Sequence, residues 1–110
     1  MLSKYVSALA MCGLLVLSPF TYADLSSVPK PDNLDIRMQL DDEYPMILTG
    51  FVRLNAQQVL NFYFDKLGDP TNMVEEIGRQ TLFFKQTNET IKISVYQQND
   101  WTEISIMVTQ

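Results

Sequence analysis

The strongest periodic signal in the chain runs from Ala56 to Leu67. Ala56, Val59, Leu60, Tyr63 and Leu67 recur at i, i+3, i+4, i+7 and i+11, which draws one apolar stripe along an α-helix. Asn55 stands where an N-cap belongs and Gln58 follows three residues later, the arrangement of a capping box. Lys66 falls in the last turn, Gly68 suits the position after it, and Pro70 blocks continuation. Phe62 and Phe64 lie off the stripe, so one is expected at its margin and the other partly exposed.

On either side of this helix the pattern changes to period two, the mark of half-buried strands. Leu34, Ile36, Met38 and Leu40 alternate with polar residues. The acidic turn Asp41-Asp42-Glu43-Tyr44-Pro45 separates them from a second strand over residues 46–53, with Gly50 as a bulge candidate. After the helix, strands are predicted over 73–77, 81–86, 91–96 and 101–108, with Gly78-Arg79 as a type II′ turn. The expected fold is α+β, in the order ββαββββ. A C-terminal meander of three or four strands joins one or two N-terminal strands in an antiparallel sheet, and the amphipathic helix packs on one face.

Two hairpins constrain each other. If residues 97–100 close one symmetrically, Ile93 faces Ile104, Ile91 faces Ile106, Tyr96 faces Trp101 and Ser94 faces Glu103. If residues 87–90 close the other, Leu82 meets Val95 and Phe84 meets Ile93. Both then assign one apolar face: Leu82, Phe84, Ile91, Ile93, Val95, Ile104, Ile106 and Val108. A slip of one residue turns that set to the wrong side. In the 73–77 strand, the simplest turn points Glu75 inward.

The opposite face is the candidate functional surface. It presents Phe83, Tyr96, Trp101 and Met107, with Lys85 and Lys92 beside them and Thr81, Ser94, Glu103 and Ser105 around. On these registers Tyr96 and Trp101 are an opposed aromatic pair, Phe83 is diagonal to Tyr96, and the two lysines oppose each other. An aromatic strip flanked by lysines suits a protein, peptide or glycan partner. The competing expectation is that the aromatics only stabilise the hairpin, or that the first strands or the leader cover this face.

Composition narrows the chemistry. The chain has 110 residues, a formal net charge of −5, no histidine and one cysteine, Cys12. Without histidine, and with Cys12 inside the N-terminal apolar segment, imidazole bases, thiolate nucleophiles and Cys/His zinc sites drop out. The acidic balance argues against nucleic acid. No D-x-D-x-D-G loop accompanies the acids at 41–43 or Glu75-Glu76, so neither metal nor cofactor is expected. Asn88-Glu89-Thr90 matches a glycosylation sequon, a short pattern that recurs by chance.

The N-terminus reads as an export signal. Lys4 precedes an apolar run over 5–17, Pro19 breaks it, and Ala23 ends it with a small residue. The run is shorter than the roughly 20 residues that span a bilayer, so no permanent membrane anchor is expected. Met11 before Cys12 departs from the small residue that a lipidated cysteine follows. The expected organisation is a signal peptide over 1–23, an extended leader over 24–33 that holds Pro29 and Pro31, and one domain over 34–110. A capped helix followed by antiparallel strands resembles small exported bacterial proteins, a likeness of architecture that names no family and transfers no site.

These features point to a small exported, non-catalytic binding or accessory module, periplasmic or secreted. Three alternatives are an inhibitor or immunity-type protein of an exported enzyme, a small carboxylate-dependent hydrolase, and a structural subunit. In the last, residues 101–110 form an open sheet edge.

Overall fold

A computed structural model describes residues 25–110. The expected signal segment, Cys12 and the cleavage point near Ala23 lie outside the described residues. The elements are β1 (Asp35–Leu40), β2 (Met46–Val52), α1 (Ala56–Leu67), β3 (Asn72–Glu76), β4 (Arg79–Lys85), β5 (Thr90–Gln98) and β6 (Trp101–Thr109). All six strands form one antiparallel sheet in the order β1-β2-β6-β5-β4-β3. With α1 on one face, the fold is α+β in the order that the residue pattern predicts.

The helix begins and ends as its sequence dictates. The Asn55 side chain accepts the Gln58 N–H at 2.8 Å, and the Gln58 side chain accepts the Asn55 N–H at 2.9 Å. At the far end Gly68 takes φ 83° and donates its N–H to the Phe64 carbonyl at 2.9 Å, a left-handed turn that favours glycine. Because α1 links β2 to β3, it crosses the inner face of the sheet and rests against β5. Val59, Leu60 and Tyr63 are buried there, and both Phe62 and Phe64 pack partly against the core.

The predicted inner face is buried throughout: Leu82, Phe84, Ile91, Ile93, Val95, Ile104, Ile106 and Val108, joined by Met46, Leu48 and Val52 of β2. Each such side chain contributes about 1.5–3 kcal/mol on leaving water, which pins the face of every strand. The registers nevertheless differ from the expected ones. The β5–β6 loop is only Asn99-Asp100, with Asn99 at φ 56°, so Tyr96 faces Glu103, Ser94 faces Ser105 and Ile93 faces Ile106. In the β4–β5 loop Gln86 and Glu89 exchange backbone hydrogen bonds, so Lys85 faces Thr90, Leu82 faces Ile93 and Phe84 faces Ile91. Both differences are slips of two residues. The strand repeat is also two, so partners change and faces do not.

Three further expectations are corrected, and the inward placing of Glu75 holds without burial. The β3–β4 turn is Ile77-Gly78, at φ 33° and 76°, with the two positive φ angles of a type I′ turn in place of a II′ turn at Gly78-Arg79. Glu75 faces Gln80 on the inner side but is exposed, because the buried core stops short of β3. In β1 the pairing jumps between Ile36↔Gly50 and Met38↔Thr49, so the bulge is at Arg37, and Gly50 is the flat place opposite it. That extra residue turns Met38 and Leu40 to the outer face and leaves all of β1 exposed. Finally, β6 lies between β2 and β5, so the last strand is internal; the open edges are β1 and β3.

Of the expected leader over 24–33, the described residues 25–33 are more than an extended segment. Leu25 and Val28 are buried in the core, and Lys30 Nζ donates to the carbonyls of both, at 2.5 and 2.9 Å. The reason is coverage. Six strands span about 24 Å from edge to edge, and a 12-residue helix is only about 18 Å long and one helix wide. The rest of the inner face needs other apolar side chains, and this segment supplies two.

Candidate functional site

The outer face follows from the same alternation. Registers across the sheet place Leu40, Ile47, Met107, Lys92 and Phe83 in one row, and Asp35, Phe51, Glu103, Tyr96 and Arg79 in another. Between them runs a row of small hydroxyl side chains: Thr49, Ser105, Ser94 and Thr81. Among the described residues no helix covers this side; β1 and β2 extend the sheet sideways, and Leu25 and Val28 pack into the core on the other face.

All six candidate residues lie on this face, but in other company than expected. Phe83, Lys92 and Met107 come together in one row, with the Lys92 ammonium 5.9 Å from the Phe83 ring centre. Tyr96 and Trp101 are not an opposed pair, since Trp101 faces Gln98 at the β5–β6 turn. Phe83 is four residues along β4 from the partner of Tyr96, so the two are not diagonal neighbours. Lys85 faces Thr90 beside the β4–β5 turn, so it is a diagonal neighbour of Lys92 and does not oppose it directly.

The structure adds three arginines, which are all the arginines of the chain. Each guanidinium lies over an aromatic ring: Arg37 over Phe51 at 5.5 Å, Arg53 over Trp101 at 4.5 Å and Arg79 over Tyr96 at 4.9 Å. Arg79 is held further by the Ser94 hydroxyl, which accepts from Nη1 at 2.8 Å, and by Glu103 at 3.6 Å. Arg37 pairs with Asp35 at 2.9 Å. A guanidinium stacked on a ring keeps its charge, and its donors stay ordered at the ring edge where a carboxylate or phosphate can meet them. One signal was legible for Arg53: Ile47, Thr49, Phe51 and Arg53 alternate, which gives it the outer side.

The charges are segregated. Of the seven cationic residues among the described residues, five (Arg37, Arg53, Arg79, Lys85 and Lys92) stand on or over the outer face, against the acids Asp35, Glu76 and Glu103 and, in the turn at its corner, Asp100. On the helix side and in the loops, Lys30 and Lys66 face a larger acidic set that includes Asp41, Asp42, Glu43, Asp65 and Asp69. The chain is acidic as a whole and cationic on one sheet face.

Two depressions mark that face. One, of about 510 Å3, lies at the corner formed by Arg37, Phe51, Trp101 and the turn 98–100. The other, of about 300 Å3, is central and is lined by Glu76, Arg79, Thr81, Lys92, Ser94, Ser105 and Met107. Elsewhere, buried Glu89 accepts a hydrogen bond from the Tyr44 hydroxyl and ties the β4–β5 turn to the β1–β2 loop. Asn88 of the sequon is exposed beside it. Among the described residues, no three His, Cys, Asp or Glu side chains gather as metal ligands, and no helix is long and apolar enough to cross a membrane. No protein-family model, curated protein or solved structure matches this chain.

Proposed function

We propose that this chain is a small exported, non-catalytic binding module whose outer sheet face takes an anionic partner. One observation supports it above the others: five of the seven described cations gather on one face of a chain of net charge −5, three of them stacked on aromatic rings. Surface charges of an acidic chain are expected to mix, because like charges repel. Asp35 and Glu103 pair with Arg37 and Arg79 on that face, and an anionic partner would answer the cations that remain, Arg53, Lys85 and Lys92. The aromatic bodies beneath them add contact area of the kind that anchors interfaces.

The test is retention of the purified protein on an immobilised polyanion, heparin, with polylysine beads as the opposite charge. Binding to heparin at low ionic strength is expected, falling steeply as salt rises. The triple variant Arg53→Gln, Arg79→Gln, Lys92→Gln should lose at least tenfold in affinity. Equal retention of the variant, or no retention of the wild type, overturns the reading.

A second reading draws on the other side of the same segregation. The exposed loop Asp41-Asp42-Glu43 would receive a basic exported enzyme if the chain were an inhibitor or immunity-type protein. Asp41→Lys with Asp42→Lys should then abolish binding of the enzyme, and the outer-face triple variant should spare it.

A further inference from the structure

We infer that the central depression of the outer face binds an acid-bearing sugar unit of an anionic polysaccharide; this rests on the proposal that the outer face is the working surface. The floor of the depression is Thr81, Ser94 and Ser105, three short hydroxyl side chains in register on adjacent strands, with Thr49 continuing the row on β2. A hydroxyl both donates and accepts, as a sugar ring does; Ser94 is buried and already accepts from Arg79, so Thr81 and Ser105 on either side of it are the hydroxyls a sugar would meet. One bank carries Arg79, with Glu76 opposite it on β3 and Glu103 paired to its guanidinium at 3.6 Å; the other carries Lys92, which is the cation an acid group would meet.

The geometry separates this occupant from its rivals. The two banks are four residues apart along β6, from Glu103 to Met107, or about 14 Å between Cα atoms before side chains narrow the gap. A peptide that adds to a sheet uses an edge, and the edges here are β1 and β3, away from the depression. A neutral sugar would stack on open ring faces, but the Tyr96 ring lies under Arg79 and the Phe83 ring under Lys92. What these rings offer is their cations. The row of hydroxyls also runs across the strands, so a linear chain can lie along it.

The experiment compares polygalacturonate and heparin with dextran, a neutral polysaccharide, and with polyglutamate, an acidic polypeptide, at matched charge concentration and salt. At least one acidic polysaccharide should bind ten times more tightly than polyglutamate, with dextran not retained. Ser105→Ala should weaken polysaccharide binding about fivefold to tenfold and leave the weaker polyglutamate binding unchanged. Thr81→Val, which keeps the side-chain volume, serves as a second floor variant should Ser105→Ala lower the thermal midpoint. Polyglutamate binding as tightly as the polysaccharides, or floor variants without effect on them, overturns this inference; if the charge-neutralised triple variant still loses binding, the anionic face stands. If no polyanion binds, both fall.

Discussion

The guanidinium carbon of Arg79 lies 4.9 Å from the centre of the Tyr96 ring, and Nη1 of the same group donates to the Ser94 hydroxyl at 2.8 Å. Ring and hydroxyl together fix the plane of the guanidinium, which an ammonium does not share. Arg79→Lys should therefore lower heparin affinity by about as much as Arg79→Gln, even though the charge is kept. Its side chain is 40% exposed, so the thermal midpoint should move by only a few degrees. Isothermal titration beside a melting curve checks both. Wild-type affinity in Arg79→Lys would mean that charge alone matters.

Gly50 explains how the bulged edge strand docks. A Cβ at this position would sit 2.7 Å from the Asp35 carbonyl oxygen, 3.2 Å from the Ile36 Cα and 3.1 Å from a Leu34 methyl. Two of these atoms are backbone or bonded to it, so β1 itself has to move. Gly50→Ala should destabilise the fold by about 1–3 kcal/mol. Amide exchange in β1 should quicken before that in β5 and β6.

Ile77 is 98% exposed and takes φ 33° in the two-residue turn before Gly78. A β-branched residue pays about 1–2 kcal/mol for left-handed backbone, and here no burial offsets it. Asn-Gly is the pair that type I′ turns favour. Ile77→Asn should raise stability by about 1 kcal/mol in urea unfolding.

The Tyr63 hydroxyl is buried and has no hydrogen-bond partner among the described residues. Leaving such a group unpaired costs about 1–3 kcal/mol, so Tyr63→Phe should be neutral or stabilising. Burial also pushes its pKa well above the ordinary tyrosine value. The folded state then keeps a proton that the unfolded chain gives up near pH 10. Stability from this group is full below pH 10 and is lost as pH rises beyond it. Urea midpoints between pH 9 and 11 should fall less steeply in Tyr63→Phe than in the wild type.

The inner face of the sheet was legible in the sequence because a strand repeats every two residues, and both hairpin slips were even. Loop length was not, since it turned on Asn99 accepting a left-handed φ and on the backbone exchange between Gln86 and Glu89. The helix was legible to its caps, which are local chemistry. Arg37 was hidden because nothing in an alternating run announces the residue that will bulge. The burial of Leu25 and Val28 was hidden by the prolines around them, and it depends on how much of the sheet one helix leaves bare. Among the candidate residues, alternation placed every one on the right face. It could not supply the arginines stacked over Phe51, Trp101 and Tyr96, because those contacts join different strands.

Trp101 is the only tryptophan of the chain, and the guanidinium of Arg53 stands 4.5 Å from its ring centre at a corner of the outer face. It is a built-in reporter of that surface. Its emission should be followed while heparin is added at low ionic strength. A saturable change that reverses with salt and disappears in the Arg53→Gln, Arg79→Gln, Lys92→Gln variant is the predicted result. A flat titration, or the same change in the variant, would contradict the assignment of the outer face as the binding surface.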